Sequence, residues 1–225
     1  PAFVDAARLL NIRGCSITIP HKIDIIPLLD KTSENVKEMG ACNTIYRDGE
    51  KICGENTDVI GFTAPLRRRS LSPETRVLVL GAGGVSRAAI AGLRRLGLAN
   101  ITLTNRRKER AEALCNEFGL LCAPWEERGD VPADLIINTT SLGMTGAQEH
   151  ETPYPSAFQG SGTAYDLIYT PFQTRFLLDA AAAGWETVSG LDMFIGQGDA
   201  QFHLWTGHHL PREAITAVTS TLYGQ

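Results

Sequence analysis

Lys22, Asn43 and Asp58 each sit in a short polar segment bordered by apolar, strand-like sequence. Thr18-Ile-Pro-His-Lys22 ends a predicted strand, Cys42-Asn43-Thr44 opens one, and Gly54-Glu-Asn-Thr-Asp58 precedes a predicted helix. Ligands of α/β proteins bind at the carboxyl ends of strands, near helix starts. A lysine, two asparagines, an aspartate and threonines from these segments can therefore converge on a small polar molecule. A lysine beside a carboxylate can give a proton to a carbonyl that is being reduced, or take one from an alcohol that is being oxidised. Read singly, Lys22 is an exposed surface lysine and Asp58 a helix N-cap, and the spacing leaves both readings open.

A second group lies in Arg76-Val-Leu-Val-Leu-Gly-Ala-Gly-Gly-Val-Ser-Arg-Ala-Ala-Ile90. Val77 to Leu80 is an unbroken apolar run, as in a parallel strand covered on both faces. Gly81 and Gly83 let the backbone turn sharply, and Ala82 lies between them. Gly84 to Leu96, with Val85 and Ser86 in its first turn, reads as a helix whose N–H groups and dipole face a pyrophosphate. Ser86 stands where the strict fingerprint has a third glycine. The strand–turn–helix order is what the motif requires; the bland alternative is a tight turn with no nucleotide. The next strand, Ile101 to Thr104, ends in Asn105-Arg106-Arg107, with Arg110 a turn beyond Arg106. No carboxylate is present for a ribose 2′-hydroxyl, and the guanidinium forks suit a phosphate. The site reads as NADP-binding. A merely solvated basic helix start is awkward, because cations are unfavourable there unless an anion binds.

These residues need elements to position them. The 225 residues allow one large or two small domains, and the formal net charge of -4 argues against broad nucleic-acid or membrane-surface binding. Five scattered cysteines form no C-x-x-C pair and suggest neither zinc site nor disulfide framework, so a reducing, cytoplasmic setting is expected. The histidines form no metal-ligand pattern. No run is long enough to span a membrane. Phe3, Val4, Ala6, Ala7, Leu9 and Leu10 already follow a helical period after Pro1, so a missing upstream segment is expected.

Arg13 to Ile19 reads as a strand, Pro20 to about Leu29 as a helix, and Thr32 or Ser33 to Met39 as a helix closed by Gly40. Asn43 to Arg47 and Lys51 to Gly54 flank the hairpin signal Asp48-Gly49. Thr57 to Arg69 reads as a helix whose basic end is a solvated cap. Beyond the glycine motif, helices over 108–118 and 174–183 alternate with strands over 120–123, 133–138 and 163–168. That rhythm predicts an α/β fold with a parallel sheet. Gly190 to Gly207 is a helix with Met193, Gln197 and Gln201 on one face. By itself Gln197 reads as a solvated side chain.

Taken together, Ser16-Ile-Thr-Ile-Pro-His-Lys22, Ala41-Cys-Asn-Thr44, Glu55-Asn-Thr-Asp58, Gly81-Ala-Gly-Gly-Val-Ser-Arg87, Asn105-Arg-Arg107, Asn138-Thr-Thr-Ser-Leu-Gly143, Tyr165-Asp-Leu-Ile-Tyr169 and Gly190-Leu-Asp-Met-Phe-Ile-Gly-Gln197 occur in an order that resembles the shikimate dehydrogenases, over essentially the whole chain. The resemblance implies two α/β domains with a cleft between them and a Rossmann-like cofactor domain. It places residues 1–57 in a substrate domain lacking its N-terminal part, 58–189 in the NADP domain, and 190–225 in helices returning to the substrate domain. It implies NADP-dependent reduction of 3-dehydroshikimate to shikimate, with Lys22 as catalytic lysine and Asp58 as its partner. Thr18, Asn43 and Gln197 match substrate contacts and Tyr169 a pocket wall, and Gln201 joins them as a further substrate residue. Asn105, Arg106 and Arg110 match the 2′-phosphate site, with Arg107 beside them. Thr140, Ser141 and Gly190 fall with the cofactor.

Ser16 stands where the family often has Asn, so quinate is an alternative substrate. The family's paired serines for the substrate carboxylate lie on a segment upstream of Pro1, so a poorly active isolated chain is expected. The expected partner is the small-molecule substrate, with other pathway domains fused or paired. The alternative from another class is a catalytically silent metabolite-binding module, against which Lys22 and Asp58 argue.

Overall fold

The computed structural model describes every residue except Ile19, Ser156, Gly224 and Gln225, and the side chains of all others except Leu222 and Tyr223. The chain divides into one unit of Pro1–Phe62 with Ile195–Gln225 and another of Thr63–Phe194. These divisions fall a few residues after the sequence-based boundaries at 57/58 and 189/190.

In the first unit, helix α1 (Ala2–Leu9) leads into strand β1 (Gly14–Ser16), followed by β2 (Lys31–Thr32), α2 (Glu34–Met39), β3 (Thr44–Asp48), β4 (Lys51–Glu55) and the start of α3 (Asp58–Leu66). The four strands form a mixed sheet in the order β1-β3-β4-β2. The β3–β4 hairpin pairs Thr44 with Glu55 and Asp48 with Lys51, which sets Asn43 beside the end of β4. Val4, Ile25, Val36, Cys42, Ile45 and Ile52 form the core of this unit. Helix α2 begins where the Ser33 hydroxyl accepts the Val36 N–H and ends at Gly40.

Two expectations are corrected here. Strand β1 is shorter than Arg13 to Ile19, and Ile19 itself lies outside the described residues. The helix expected from Pro20 to Leu29 does not form; turns lead into one 3-10 turn at Ile26–Leu28. Pro27 carries no N–H to continue an α-helical ladder, so the segment tightens into the shorter repeat.

The second unit carries β5 (Val77–Leu80), α4 (Gly84–Arg95), β6 (Ile101–Thr104), α5 (Lys108–Phe118), β7 (Leu121–Cys122), β8 (Leu135–Asn138), β9 (Thr163–Asp166), α6 (Arg175–Ala182) and β10 (Glu186–Val188). All six strands are parallel, in the order β10-β9-β8-β5-β6-β7. The strand order reverses between β5 and β8, and such a switch point is where open α/β sheets bind ligands. Every residue of β5, β8 and β9 is buried. Leu78, Leu80 and Ile136 pack with Phe158, Phe176 and Trp185. The arginine run after α3 behaves as a cap: the Arg69 guanidinium donates to the Pro65 carbonyl at 2.8 Å. Helix α7 (Gly190–Thr206) starts in the second unit and ends in the first, and α8 (Arg212–Tyr223) closes the fold. Among the described residues no helix is long and apolar enough to cross a membrane.

Candidate active site

In the first unit, the structure brings Lys22 and Asp58 together. Lys22 Nζ lies 2.9 Å from Asp58 Oδ2, with side chains 29% and 18% exposed. The pair is thus sheltered but open to a ligand. Asp58 Oδ1 accepts from Asn43 Nδ2 at 2.8 Å, and the Asp58 N–H donates to Asn56 Oδ1 at 3.1 Å. Asn43 is buried; its Oδ1 accepts the Thr57 N–H at 2.8 Å and the Thr44 hydroxyl at 2.7 Å. The carboxylate therefore has a fixed direction, as a group that must hold an ammonium requires. The chain of bonds continues outward: Gln201 Nε2 donates to Thr44 Oγ1 at 2.9 Å and Ser16 Oγ donates to Gln201 Oε1 at 2.8 Å. Both ends of the Gln201 amide are occupied inside the protein. The Gln197 amide forms no hydrogen bond among the described residues and is half-buried. Thr18 is exposed, and its carbonyl accepts the His21 N–H at 2.9 Å.

In the second unit, a cavity of about 240 Å³ opens at the switch point. Gly81, Ala82 and Gly83 line it together with Asn105, Arg106, Arg107, Arg110, Thr139, Thr140 and Ser141. Gly81 has φ +113°, and a Cβ there would lie 2.5 Å from Thr139 Oγ1. The turn thus needs glycine both for its conformation and for the close approach of β8. Ser86 is fully buried and works as a clasp. The Gly83 N–H donates to Ser86 Oγ at 3.0 Å, Ser86 Oγ lies 2.7 Å from Thr139 Oγ1, and Thr139 Oγ1 donates to the Leu80 carbonyl at 2.8 Å. This accounts for the departure from a third glycine: the hydroxyl ties the helix start to two strand ends. Gly84 and Val85 open α4 beside it. The three arginines are exposed, and among the described residues no side-chain carboxylate lines the cavity. A helix N-terminus, a glycine turn and three guanidiniums form a donor set that fits a phosphorylated dinucleotide. Arg106, Arg107 and Arg110 would hold its 2′-phosphate.

Gly190 and Tyr169 also belong to this unit. A Cβ on Gly190 would lie 2.5 Å from the carbonyls of Leu167 and Ile168, so only glycine lets α7 start against that backbone. The Tyr169 ring is 44% exposed and stacks on Phe194 with centroids 5.1 Å apart.

Asp166 and Asn138 received no role from the sequence. They stand in register at the ends of β9 and β8 and are fully buried. Asp166 Oδ1 accepts from Asn138 Nδ2 and from the Ile168 N–H, each at 3.0 Å, and Oδ2 accepts the Thr174 hydroxyl at 2.6 Å. Burial pushes the Asp166 carboxyl up to about 7, against the opposite pull of these three donors. The signal available in the sequence was an Asp and an Asn closing two otherwise apolar strands.

A switch-point glycine turn with a cationic cavity, in a chain that also carries a sheltered lysine–carboxylate pair, defines a dinucleotide-binding α/β protein of the oxidoreductase type. Family models for the shikimate dehydrogenase substrate binding domain, shikimate / quinate 5-dehydrogenase and the shikimate 5′-dehydrogenase C-terminal domain match residues 1–45, 66–140 and 190–218. The shikimate dehydrogenase (NADP(+)) of Pelobacter propionicus is 54% identical over 225 residues, covering 99% of this chain and 81% of the relative. The Thermus thermophilus shikimate 5-dehydrogenase in complex with NADP(H) and shikimate superposes with a TM-score of 0.85 at 34% identity, covering 99% of this chain and 83% of that one. A 5-ketofructose reductase from a Gluconobacter strain gives 0.89 at 31%, with coverage of 99% and 83%. This chain belongs to the shikimate dehydrogenase family.

Proposed function

We propose that this chain is an NADP-dependent shikimate dehydrogenase, reducing 3-dehydroshikimate to shikimate and running the reverse reaction. The observation that carries the proposal is the Lys22–Asp58 pair at 2.9 Å, held from behind by Asn43. Bound NADPH supplies the hydride. Lys22 Nζ gives its proton to the carbonyl oxygen as the carbon is reduced, and takes one back from the alcohol in the other direction. Asp58 holds the ammonium in place. Asn43 fixes Asp58 and stays in the substrate group with Thr18, Gln197 and Tyr169. Gln197, the glutamine with an unengaged amide, is assigned to a substrate hydroxyl, and Gln201 supports it from one turn further along α7. Gly81 to Val85, Asn105, the three arginines, Thr140, Ser141 and Gly190 bind or shape the cofactor site. Ser86 serves that site by holding the turn. The domain limits are drawn at the division after Phe62 and after Phe194, in place of the 57/58 and 189/190 of the sequence reading.

A second reading, quinate or dual specificity, is favoured by Ser16, whose hydroxyl is tied to Gln201. The likeness to a 5-ketofructose reductase adds a polyhydroxylated ketone as a third substrate to assay. We place the enzyme in the cytoplasm; its free thiols include the exposed Cys122, which favours a reducing compartment. Measuring kcat/KM with NADP+ for shikimate and quinate, and with NADPH for 5-ketofructose, tests the reading. Shikimate is expected to lead. Turnover of none of the three, even by a version carrying the family's upstream serines, would leave the silent binding module in its place.

A further inference from the structure

We propose that Asp166 is a positioning residue for the cofactor: it sets the direction of the Asn138 amide, which in turn shapes the Thr139–Ser141 wall of the dinucleotide cavity. The inference rests on the NADP reading above.

The argument begins with an oddity. Asp166 is fully buried, and its three partners are neutral: an amide, a backbone N–H and a hydroxyl. A buried carboxylate without a cation is expensive. An asparagine would fill the same space at less cost, so the charge needs a reason.

The reason lies in what Asn138 must do. An asparagine amide has a donor end and an acceptor end, and nothing in its shape distinguishes them. Asn138 Oδ1 accepts both the Thr140 N–H at 2.9 Å and the Thr140 hydroxyl at 2.7 Å. Its Nδ2 donates to Asp166 Oδ1 and to the Leu142 carbonyl at 3.2 Å. Thr140 Oγ1 in turn accepts the Leu142 N–H at 3.1 Å. The whole turn from 138 to 142 is thus fastened from inside by one amide. Were that amide to flip, its NH2 would face the Thr140 N–H, donor against donor. Above about pH 7, where it is ionised, the carboxylate only accepts, so it admits only the NH2 end and adds to the Thr140 N–H and the Leu142 carbonyl in opposing the flip. An asparagine at 166 would keep its one carbonyl oxygen for the Ile168 N–H and the Asn138 Nδ2, as a weaker, uncharged acceptor, and would turn its NH2 toward Thr174, forcing that hydroxyl to reverse.

The same carboxylate reaches two further segments. Its bond from the Ile168 N–H turns the chain just before Tyr169. Its bond from Thr174 holds the residue whose hydroxyl also accepts the Leu177 N–H at the start of α6. One buried charge therefore orders the cofactor wall, the approach to Tyr169 and a helix start.

The test is a calorimetric titration of NADP+ into the 225-residue chain and its variants, with Tm measured in parallel. Asp166→Asn is expected to weaken NADP+ binding roughly tenfold. Thr174→Val removes one donor without changing volume and is expected to weaken it about fivefold. Thr174→Ser keeps the hydroxyl and is expected to bind within about twofold of wild type. A merely structural role would shift Tm and leave the dissociation constant of the folded protein unchanged. Wild-type affinity in both Asp166→Asn and Thr174→Val overturns the inference, as does a Thr174→Ser protein as weak as Thr174→Val. A wild-type chain that does not bind NADP+ overturns the cofactor reading itself, and with it this inference.

Discussion

Asp58 in the first unit and Asp166 in the second are built alike up to a point. Each accepts a hydrogen bond from a buried asparagine, Asn43 at 2.8 Å and Asn138 at 3.0 Å. They then diverge. The second oxygen of Asp58 meets the Lys22 ammonium, and the pair keeps partial exposure. The second oxygen of Asp166 meets only the Thr174 hydroxyl, and no part of it reaches solvent. A carboxylate that shares a site with a half-exposed ammonium can support proton movement to a ligand. A carboxylate enclosed by neutral donors cannot exchange protons with a ligand, and its use is to dictate which way its partners point. The comparison separates chemistry from positioning by two observables, the charge of the partner and access to water.

The strongest way to break it is through Lys22. Lys22→Ala should lower kcat for shikimate oxidation by about 10²–10⁴-fold, the range of a positioned acid–base group. Asp58→Asn should also slow turnover, and the double variant should fall far short of the product of the single effects. Steady-state kinetics on the three variants checks this; near-normal kcat in Lys22→Ala would remove the pair from the chemistry.

Asp166 should show itself in stability against pH. Its carboxyl sits near 7 in the folded chain and near the ordinary carboxylate value when unfolded, so the native state binds more protons between the two. Unfolding free energy from this group is fully present below about pH 4 and is lost as pH rises through about 7. Asp166→Asn lacks that loss, so wild type should fall behind the variant by roughly 2–4 kcal/mol between pH 4 and 8. Urea denaturation across that range reads it. Greater stability with weaker NADP+ binding in one variant would sharpen the contrast with Asp58; parallel curves would mean that Asp166 does not titrate as placed.

Arg106→Ala should weaken NADP+ by about ten- to a hundredfold and leave NAD+ nearly unchanged, since one charge-assisted contact is worth about 1.5–3 kcal/mol. Competitive titration of the two cofactors measures it, and an undiminished NADP preference would contradict the 2′-phosphate assignment. The smallest effect is expected at Gln201. Gln201→Leu breaks the bonds to Ser16 and Thr44 and should cost about three- to tenfold in kcat/KM, as a neutral hydrogen bond would. No change would show that the Asn43–Asp58 pair is rigid without it.

Legibility in the sequence followed the range of the interactions. β5, α4, β6 and α5 were readable because an apolar run, a glycine turn and a helical period are local signals, and Ile101–Thr104 and Lys108–Phe118 appear where they were expected. Pro20 suits the first turn of a helix, but Pro27 lacks the N–H that would continue one, and residues 20–29 form turns and a single 3-10 turn instead. Strands β2 and β10, two and three residues long, carry too little pattern to show, and they exist through pairing with β4 and β9. Lys22 and Asp58 were singled out by their polar segments, but their contact spans 36 positions and only the fold displays it. Ser86 stands in the sequence only as a departure from the third glycine, because the bridge from its hydroxyl to Thr139 spans 53 positions. The pairing of Asp166 with Asn138 depends on the register of two strands 28 positions apart, which no local pattern encodes.

The central claim is that the first unit's ion pair performs proton transfer and the second unit's arginines and glycine turn hold the cofactor. Its most direct test is one set of measurements on three proteins at a single pH: the NADP+ dissociation constant, and kcat at saturating NADP+ and shikimate, for wild type, Lys22→Ala and Arg106→Ala. The account predicts that Lys22→Ala keeps wild-type NADP+ affinity and loses kcat, whereas Arg106→Ala loses affinity and keeps kcat within about threefold. Loss of both quantities in either variant, or a Lys22→Ala protein that turns over normally, would contradict it.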